Sequence, residues 1–194
     1  DYPKALEYYK KSLLIDEEIG NKNGIATNLG SIGIVYRYLS DYPKALEYLK
    51  KALQINEEIG NKKGIAINLG NIGILYKELL DYPKALQYLN REYSLTFEIG
   101  TKDISMESLK ELSEVYEKMG DISNAFEYYK QYITLEKEIL SIEAKKQADR
   151  FDIERKEAER EKVLIAERSE AAAIKKLLHN ILPNNIADRI LKQE

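Results

Sequence analysis

Residues 41–80 read DYPKALEYLKKALQINEEIGNKKGIAINLGNIGILYKELL, and the forty residues before them repeat this text with few changes. The rows that begin at Asp1 and Asp41 are identical at about three quarters of their positions. A third row begins at Asp81 and then diverges, and a fourth begins at Asp121 and keeps only the opening of the pattern. A period of about 40 residues predicts a stack of similar units, each built from a few secondary-structure elements.

Each row carries the signals of two helices. Asp41 can cap a helix N-terminus, and Pro43 suits the first turn. Apolar residues then recur at helical spacing up to Gly60, which predicts the end of the first helix and places Gly64 in the following turn. After that turn, a second apolar stripe in each row predicts helices over residues 24–39, 64–79 and 104–118.

Two features predict how these helices pack. Gly73 stands inside the predicted helix 64–79, where it costs about 1 kcal/mol relative to Ala, so we expect a close contact between helices there. Tyrosines recur in step with the rows, which indicates packing between helices rather than stacking on nucleic-acid bases. They are Tyr8, Tyr36, Tyr48, Tyr76, Tyr88, Tyr116 and Tyr128.

The residues that recur in phase resemble the tetratricopeptide repeat. In successive rows they are Leu29, Ile32, Gly33, Tyr36, Asp41, Tyr42, Ala45, Leu49 and Ala52, then Leu69, Ile72, Gly73, Tyr76, Asp81, Tyr82, Ala85 and Leu89, and more loosely Leu109, Leu112, Ser113, Tyr116, Gly120, Asp121, Ala125 and Tyr129. The resemblance covers about residues 1–135, with the first repeat incomplete. It implies a superhelix of helical hairpins whose concave groove binds a peptide or protein.

Two departures from the repeat predict a different packing of the last hairpins. Glu92 stands where the preceding row has Ala52, and Tyr132 takes the same place one row later.

Candidate groove residues come from equivalent polar positions on the inner helices that the resemblance implies. Asn amides both donate and accept, so a row of them can hold a peptide backbone. The alternative is that Asn28 and Asn68 only bond loops or neighbouring helices. A chaperone-adaptor role is less favoured, because no dense set of Lys, Asn and Arg resembles the carboxylate clamp of such family members. The candidates are Asn28, Ser31, Arg37, Asn68, Asn71 and Lys77.

A long charged helix follows the repeats. Residues 124–182 contain neither Pro nor Gly, and apolar residues recur there at alternating spacings of three and four. Charged residues interrupt this seam in the middle, which predicts a parallel dimeric coiled coil that pairs best at its ends. The alternative is a solvated single helix. The predicted seam is Leu135, Ile139, Ile142, Ile153, Val163, Ile174, Leu177 and Ile181.

The final stretch, LLHNILPNNIADRILKQE at 177–194, differs from everything before it. Pro183 predicts the end of the long helix and the start of a short terminal one. The stretch resembles the segment that precedes the catalytic domain of class III adenylate and guanylate cyclases. The matching residues are Leu177, Leu178, Asn180, Ile181, Leu182, Pro183, Ile186, Ala187 and Arg189, with Ile190 in place of the usual Leu.

This second resemblance implies a regulatory or sensory fragment of a nucleotide cyclase. Ligand binding by the repeats would be relayed through the coiled coil to paired catalytic domains beyond Glu194, which would convert ATP or GTP to a cyclic nucleotide with Mg or Mn. No catalytic, cofactor-binding or metal-ligating residue is assigned within this chain. Two alternatives stay open: the sensor region of a histidine kinase, with His179 as phosphoacceptor, and a free-standing scaffold for protein–protein interaction.

Composition narrows the remaining classes. The chain has 194 residues and a net charge of −3, which gives no reason to expect nucleic acid or an anionic membrane as partner. It has no Cys and a single His, so disulfides, thiolate metal sites and a Ser-His-Asp triad are not expected. No apolar run approaches the roughly 20 residues of a membrane span, and we expect a cytoplasmic protein. The first residue is Asp1 rather than Met, so we expect a missing N-terminus.

The predicted fold class is therefore all-α. Tetratricopeptide-like hairpins occupy residues 1–135, a long signalling helix or coiled coil occupies 136–182, and a short linker helix occupies 183–194.

Overall fold

The computed structural model describes residues 1–181, except for the side chains of Leu178 and His179. The described residues form an all-α fold, as predicted. Its helices are α1 (Tyr2–Glu18), α2 (Lys22–Tyr38), α3 (Tyr42–Glu58), α4 (Lys62–Glu78), α5 (Tyr82–Ile99), α6 (Lys102–Lys118) and α7 (Ile122–Ile181).

The first helix of each row begins at the predicted Asp cap. The carboxylate of Asp41 accepts the backbone N–H of Lys44 at 3.3 Å, and that of Asp81 accepts the N–H of Lys84 at 3.2 Å. Pro lies in the first turn of α3 and α5, where no helical N–H is lost.

The second helix of each row begins two residues earlier than predicted. Gly60 ends the α3 segment with a φ of +68°, and Asn61 then caps α4 by accepting the N–H of Gly64 at 3.0 Å. Gly64 is therefore in the first turn of α4 and not in the connecting turn. A Cβ at Gly64 would overlap the Asn56 side chain, so the absence of a side chain lets α3 and α4 approach.

The glycines inside α2 and α4 mark the closest helix contacts, which confirms the expectation for Gly73. A Cβ on Gly73 would lie 2.7 Å from Cγ of Leu89, and one on Gly33 would lie 2.8 Å from Cγ of Leu49. Both leucines are fully buried. The same contact between a glycine and a buried leucine, which we call the glycine–leucine lock, thus joins α2 to α3 and α4 to α5.

The tyrosine stripe also packs between helices. Six of the seven predicted rings stack in pairs, with centroids 5.5 Å apart for Tyr36 and Tyr48, 5.5 Å for Tyr76 and Tyr88, and 5.4 Å for Tyr116 and Tyr128. The seventh, Tyr8, is 61% exposed. These offset contacts recur at each row and add to the burial of the rings.

The chain divides into two units, residues 1–139 and the residues from 140 onward. The first contains the hairpins and their core. In the second, the predicted seam residues from Ile142 to Ile181 are exposed, and Asp152 pairs with Arg155 at 3.3 Å. The long helix begins at Ile122 and so includes the residues from 124 onward that contain neither Pro nor Gly, while the domain boundary near residue 136 stays a prediction. Asn180 is an exposed helical residue, whereas Pro183, Ile186 and Arg189 lie outside the described residues.

None of the helices in residues 1–181 is both long and apolar enough to cross a membrane.

Candidate protein-binding groove

Helices α2, α4 and α6 lie side by side, because α4 contacts both of the others. Helices α3 and α5 pack behind them. One surface of α2, α4 and α6 stays outside this packing, and we call it the inner face. At equivalent positions of the three helices it carries Thr27, Ser31 and Ile34, then Ile67, Asn71 and Ile74, and then Glu107, Glu111 and Glu114.

Two of the predicted groove residues are buried within the repeats. Asn28 Nδ2 donates to Ser12 Oγ at 3.0 Å and to Asp16 Oδ2 at 2.8 Å, while Asn68 Nδ2 donates to the Gly64 carbonyl at 3.0 Å. Asn28 is 8% exposed and Asn68 is 4% exposed. These amides bond neighbouring helices and their own helix, as the alternative interpretation describes.

Ser31 and Asn71 do lie on the inner face and are half-buried. The Asn71 Nδ2 donates to the Ile67 carbonyl at 2.9 Å, which leaves its amide oxygen available as an acceptor. Their role in binding a peptide stays a prediction.

The two predicted cations connect neighbouring inner helices. Lys77 Nζ on α4 donates to Glu111 and, at 2.7 Å, to Glu114 on α6. Burial lowers the pKa of Lys77, but the bonds to these two carboxylates outweigh it and leave the pKa above its usual value. Arg37 on α2 lies 3.8 Å from the Glu78 carboxylate and over the Tyr38 ring at 5.0 Å. Both side chains therefore have partners within the repeats.

Sequence reasoning missed Glu92 as part of this face. Glu92 belongs to α5 and is only 6% exposed, and a Cβ on Gly70 of α4 would overlap its carboxylate. Burial raises the pKa of Glu92 to about 8, with Glu111 and Glu107 adding to the effect and the Ser108 hydroxyl opposing it. The sequence did show that Glu92 replaces the Ala52 of the preceding row. That change predicted altered packing, but it did not predict that the carboxylate lies beside the inner face.

Glu92 and Gly70 line a cleft of about 300 Å³ between α4 and α6 on the inner face. Apolar walls come from Ile67, Ile74 and Ile104. The remaining lining residues are Asn71, Asp103, Glu107 and Glu111.

A second groove, of about 400 Å³, lies between α5, α6 and α7 and was also missed. Its lining includes Tyr93, Leu135 and the largely exposed Phe97. In the preceding row the place of Ser105 is filled by Ile65, and the equivalent groove there has a volume of about 560 Å³. We call this second surface the outer groove.

Among the side chains that the structure describes, which do not include His179, no group of three or more His, Cys, Asp or Glu is arranged to hold a metal ion.

The tetratricopeptide repeat family matches residues 1–58 and 25–96, and matches again at 107–139. These matches end at residue 139, so the cyclase resemblance of residues 177–194 stays a prediction. A comparison with curated proteins gives no match.

Among solved structures, BtubC (BKLC) from P. vanneervenii is similar at 20% identity and a TM-score of 0.65, covering 71% of this chain and 57% of that chain. Aspartyl phosphate phosphatase F from Bacillus subtilis is similar at 18% identity and a TM-score of 0.67, covering 69% of this chain and 35% of that chain. The apo form of RapI is similar at 22% identity and a TM-score of 0.52, covering 72% of this chain and 64% of that chain.

At these identities the similarity shows the fold alone, and the chain spans 35% to 64% of the length of these three proteins. The family match covers both well-formed rows and the looser one after them, in agreement with the locked helical hairpins of the structure. The chain therefore belongs to the tetratricopeptide-repeat family.

Proposed function

We propose that the repeats bind a segment of a partner protein on the inner face. The observation that carries this proposal is a contrast between buried and surface positions. Where helices pack, the rows keep the same residues, as at Gly33 and Gly73. On the inner face, two of the three sets of equivalent positions differ in every row, from Thr27 to Ile67 to Glu107 and from Ser31 to Asn71 to Glu111. Packing does not require these residues, so the surface is free to match a ligand.

The inner face also has the chemistry of a recognition surface. Ile67 is 43% exposed and stands between polar and acidic neighbours, so a ligand side chain can be partly desolvated there. A small number of apolar anchor residues surrounded by polar groups is enough for a specific protein interface.

The test is a selection of random peptides displayed on phage against the whole chain. We expect enriched peptides whose affinity, measured by fluorescence anisotropy, falls about tenfold or more on Ile67→Asp. The matched control is Phe97→Asp, which places the same charge in the outer groove and is expected to leave affinity unchanged. The proposal fails if no peptide is enriched, or if Phe97→Asp weakens binding while Ile67→Asp does not.

A regulatory role in a nucleotide cyclase is a second proposal, and it rests on the sequence of residues 177–194. In that role the repeats sense a partner and the long helix transmits the signal to paired catalytic domains, which need Mg or Mn with ATP or GTP. The family matches concern the repeats and favour a protein-interaction scaffold more directly.

The coding sequence after Glu194 tests this second proposal. Two acidic metal ligands within a cyclase domain, together with cyclic-nucleotide formation that responds to deletion of the repeats, are expected. A histidine kinase core in that place, or a rate that is unchanged by the deletion under all conditions, contradicts it.

A further inference from the structure

The cleft between α4 and α6 has a buried acid as part of its floor. The Glu92 carboxylate reaches it through the notch that Gly70 leaves in α4. One row earlier, a Cβ added at Gly30 would lie 3.2 Å from the Asn68 amide oxygen and 3.9 Å from the Cβ of Ala52, which stands in the place of Glu92. The acid is thus specific to this part of the inner face.

Negative charge dominates the cleft. Asp103, Glu107 and Glu111 line it together with Glu92, and no lining residue is basic. The nearby cation, Lys77, already bonds Glu111 and Glu114. The Ser108 hydroxyl, which hydrogen-bonds Glu92, also lies 2.9 Å from the Ile104 carbonyl, to which it can donate its single proton. The residues that line the cleft therefore supply no positive charge to match Asp103 and Glu107, and the cation beside Glu107 is Lys110, outside the lining and 3.9 Å away.

The apolar walls of the cleft suit a long side chain with a charged end. Ile67 and Ile74 can pack against methylene groups. Of the acids, Glu92 on α5 and Glu111 on α6 are buried, and Asp103 and Glu107 on α6 are exposed. Lys and Arg have this combination of an aliphatic stem and a cationic head.

We propose that the α4–α6 cleft binds a Lys or Arg side chain of the partner segment, with Glu92 as the residue that selects it. This inference rests on the proposed binding of a protein segment to the inner face. The stem lies along the isoleucines, and the cationic head pairs with Glu92 and Glu107. A charge-assisted bond is stronger than one between neutral groups, so a neutral side chain gains less here, and an acidic one meets the like charge of Asp103 and Glu107.

Binding of a basic side chain in the cleft is coupled to the release of a proton from Glu92. In the unliganded protein the pKa of Glu92 is about 8, so the carboxyl is mostly protonated at pH 7. An incoming cation favours the ionised form, so the carboxyl releases its proton to the buffer on binding. The other charged groups at the cleft are Asp103, Glu107 and Glu111 on α6. Two cations lie next to them: Lys77 on α4 bonds Glu111, and Lys110 on α6 lies 3.9 Å from Glu107.

The experiment uses the peptides enriched on the whole chain. We expect Lys or Arg to recur at one position, and its replacement by Gln in a synthetic peptide to lower affinity about tenfold or more. On the protein, Glu92→Gln is expected to lower affinity for the basic peptide by a similar factor while leaving the Gln peptide unaffected. Glu47→Gln removes an exposed carboxylate on α3, outside the cleft, and serves as the control.

Calorimetry in two buffers of different ionisation enthalpy gives an independent measurement. At pH 7 we expect close to one proton released per basic peptide bound, and none for Glu92→Gln. Circular dichroism verifies that the variant is folded, and Glu92→Ala provides a second variant with the residue that the preceding row carries. Enriched peptides without basic residues, or equal affinity for both proteins, overturn this inference while the proposed function stands. A selection that enriches nothing overturns both.

Discussion

At the scale of single residues, Gly73 and Glu92 show what the sequence could reveal. Gly73 was predicted to allow a close contact because a glycine inside a helix has an energetic cost that packing must offset. The structure supplies that contact in Leu89. Glu92 was noted only as a departure, because nothing in a helical pattern tells whether an acid replacing an alanine turns outward or lies against a glycine of the next helix.

Replacing Gly73 tests the glycine–leucine lock. Gly73→Ala should lower the free energy of unfolding by about 2 kcal/mol, because the new Cβ meets the buried Leu89 side chain and its backbone nitrogen. Helix propensity alone predicts a gain of about 1 kcal/mol. Urea denaturation measures the difference, with the exposed Lys63→Ala on the same helix as control. A stabilised Gly73→Ala protein would mean that α4 and α5 are not in contact at this point.

The pH dependence of stability tests the environment of Glu92. Its pKa is raised from 4.5 to about 8 on folding, so the folded state holds a proton that the unfolded state has lost. The contribution of Glu92 to stability is therefore greatest below pH 4.5 and declines as pH rises towards 8, by on the order of 4 kcal/mol. Glu92→Gln, which does not titrate, should remove this decline. Denaturation at pH 5 and pH 8 for both proteins measures it, and parallel declines would contradict the assignment.

At the scale of elements, the helices and the starts of the first helix of each row were predicted correctly, and the starts of the second helices were not. Asp41 and Pro43 identified the start of α3, because a cap followed by Pro is a local signal. The start of α4 depends on Asn61, which stands directly after Gly60 and was included in the turn. The approach of Asn56 to Gly64 depends on tertiary contact, and so no pattern within the turn could show it.

The cap of α4 can be tested against its counterpart in the next row. Asn61→Ala should cost about 1 kcal/mol, because the N–H of Gly64 loses its acceptor. Asn61→Asp retains an acceptor and should change stability little. Thr101→Ala is the matched control, since the Thr101 side chain makes no cap bond and donates instead to the Thr96 carbonyl at 3.3 Å. Thermal unfolding measures all three, and an equal loss for Asn61→Ala and Thr101→Ala would show that the cap contributes nothing.

At the scale of the whole molecule, the repeats and the long helix were predictable to different degrees. The repeats have internal copies that confirm one another, and the structure and the family agree with them. The seam in residues 140–181 has no such copies. Its apolar side chains are exposed in the single chain, as expected whether the helix is solvated or pairs with a second copy.

Pairing through the long helix gives a prediction for the association state. We expect the chain to sediment as a dimer at micromolar concentration, and Val163→Glu to shift it towards monomer because the charge would be buried in the seam. Ile165→Glu is the control, since Ile165 has the same 58% exposure as Val163 but lies off the seam. A monomer mass at every concentration, or equal effects of both variants, would favour the solvated single helix.

The repeated glycine–leucine lock has a genetic consequence. Because the contact of Gly33 with Leu49 is reproduced by Gly73 with Leu89, a junction at Asp41 or Asp81 joins surfaces that already fit each other. Recombination between the two near-identical rows of coding sequence would add or remove one whole row without creating a new type of interface. The length of the inner face can thus change by gene duplication alone, while each added row is free to acquire its own surface residues.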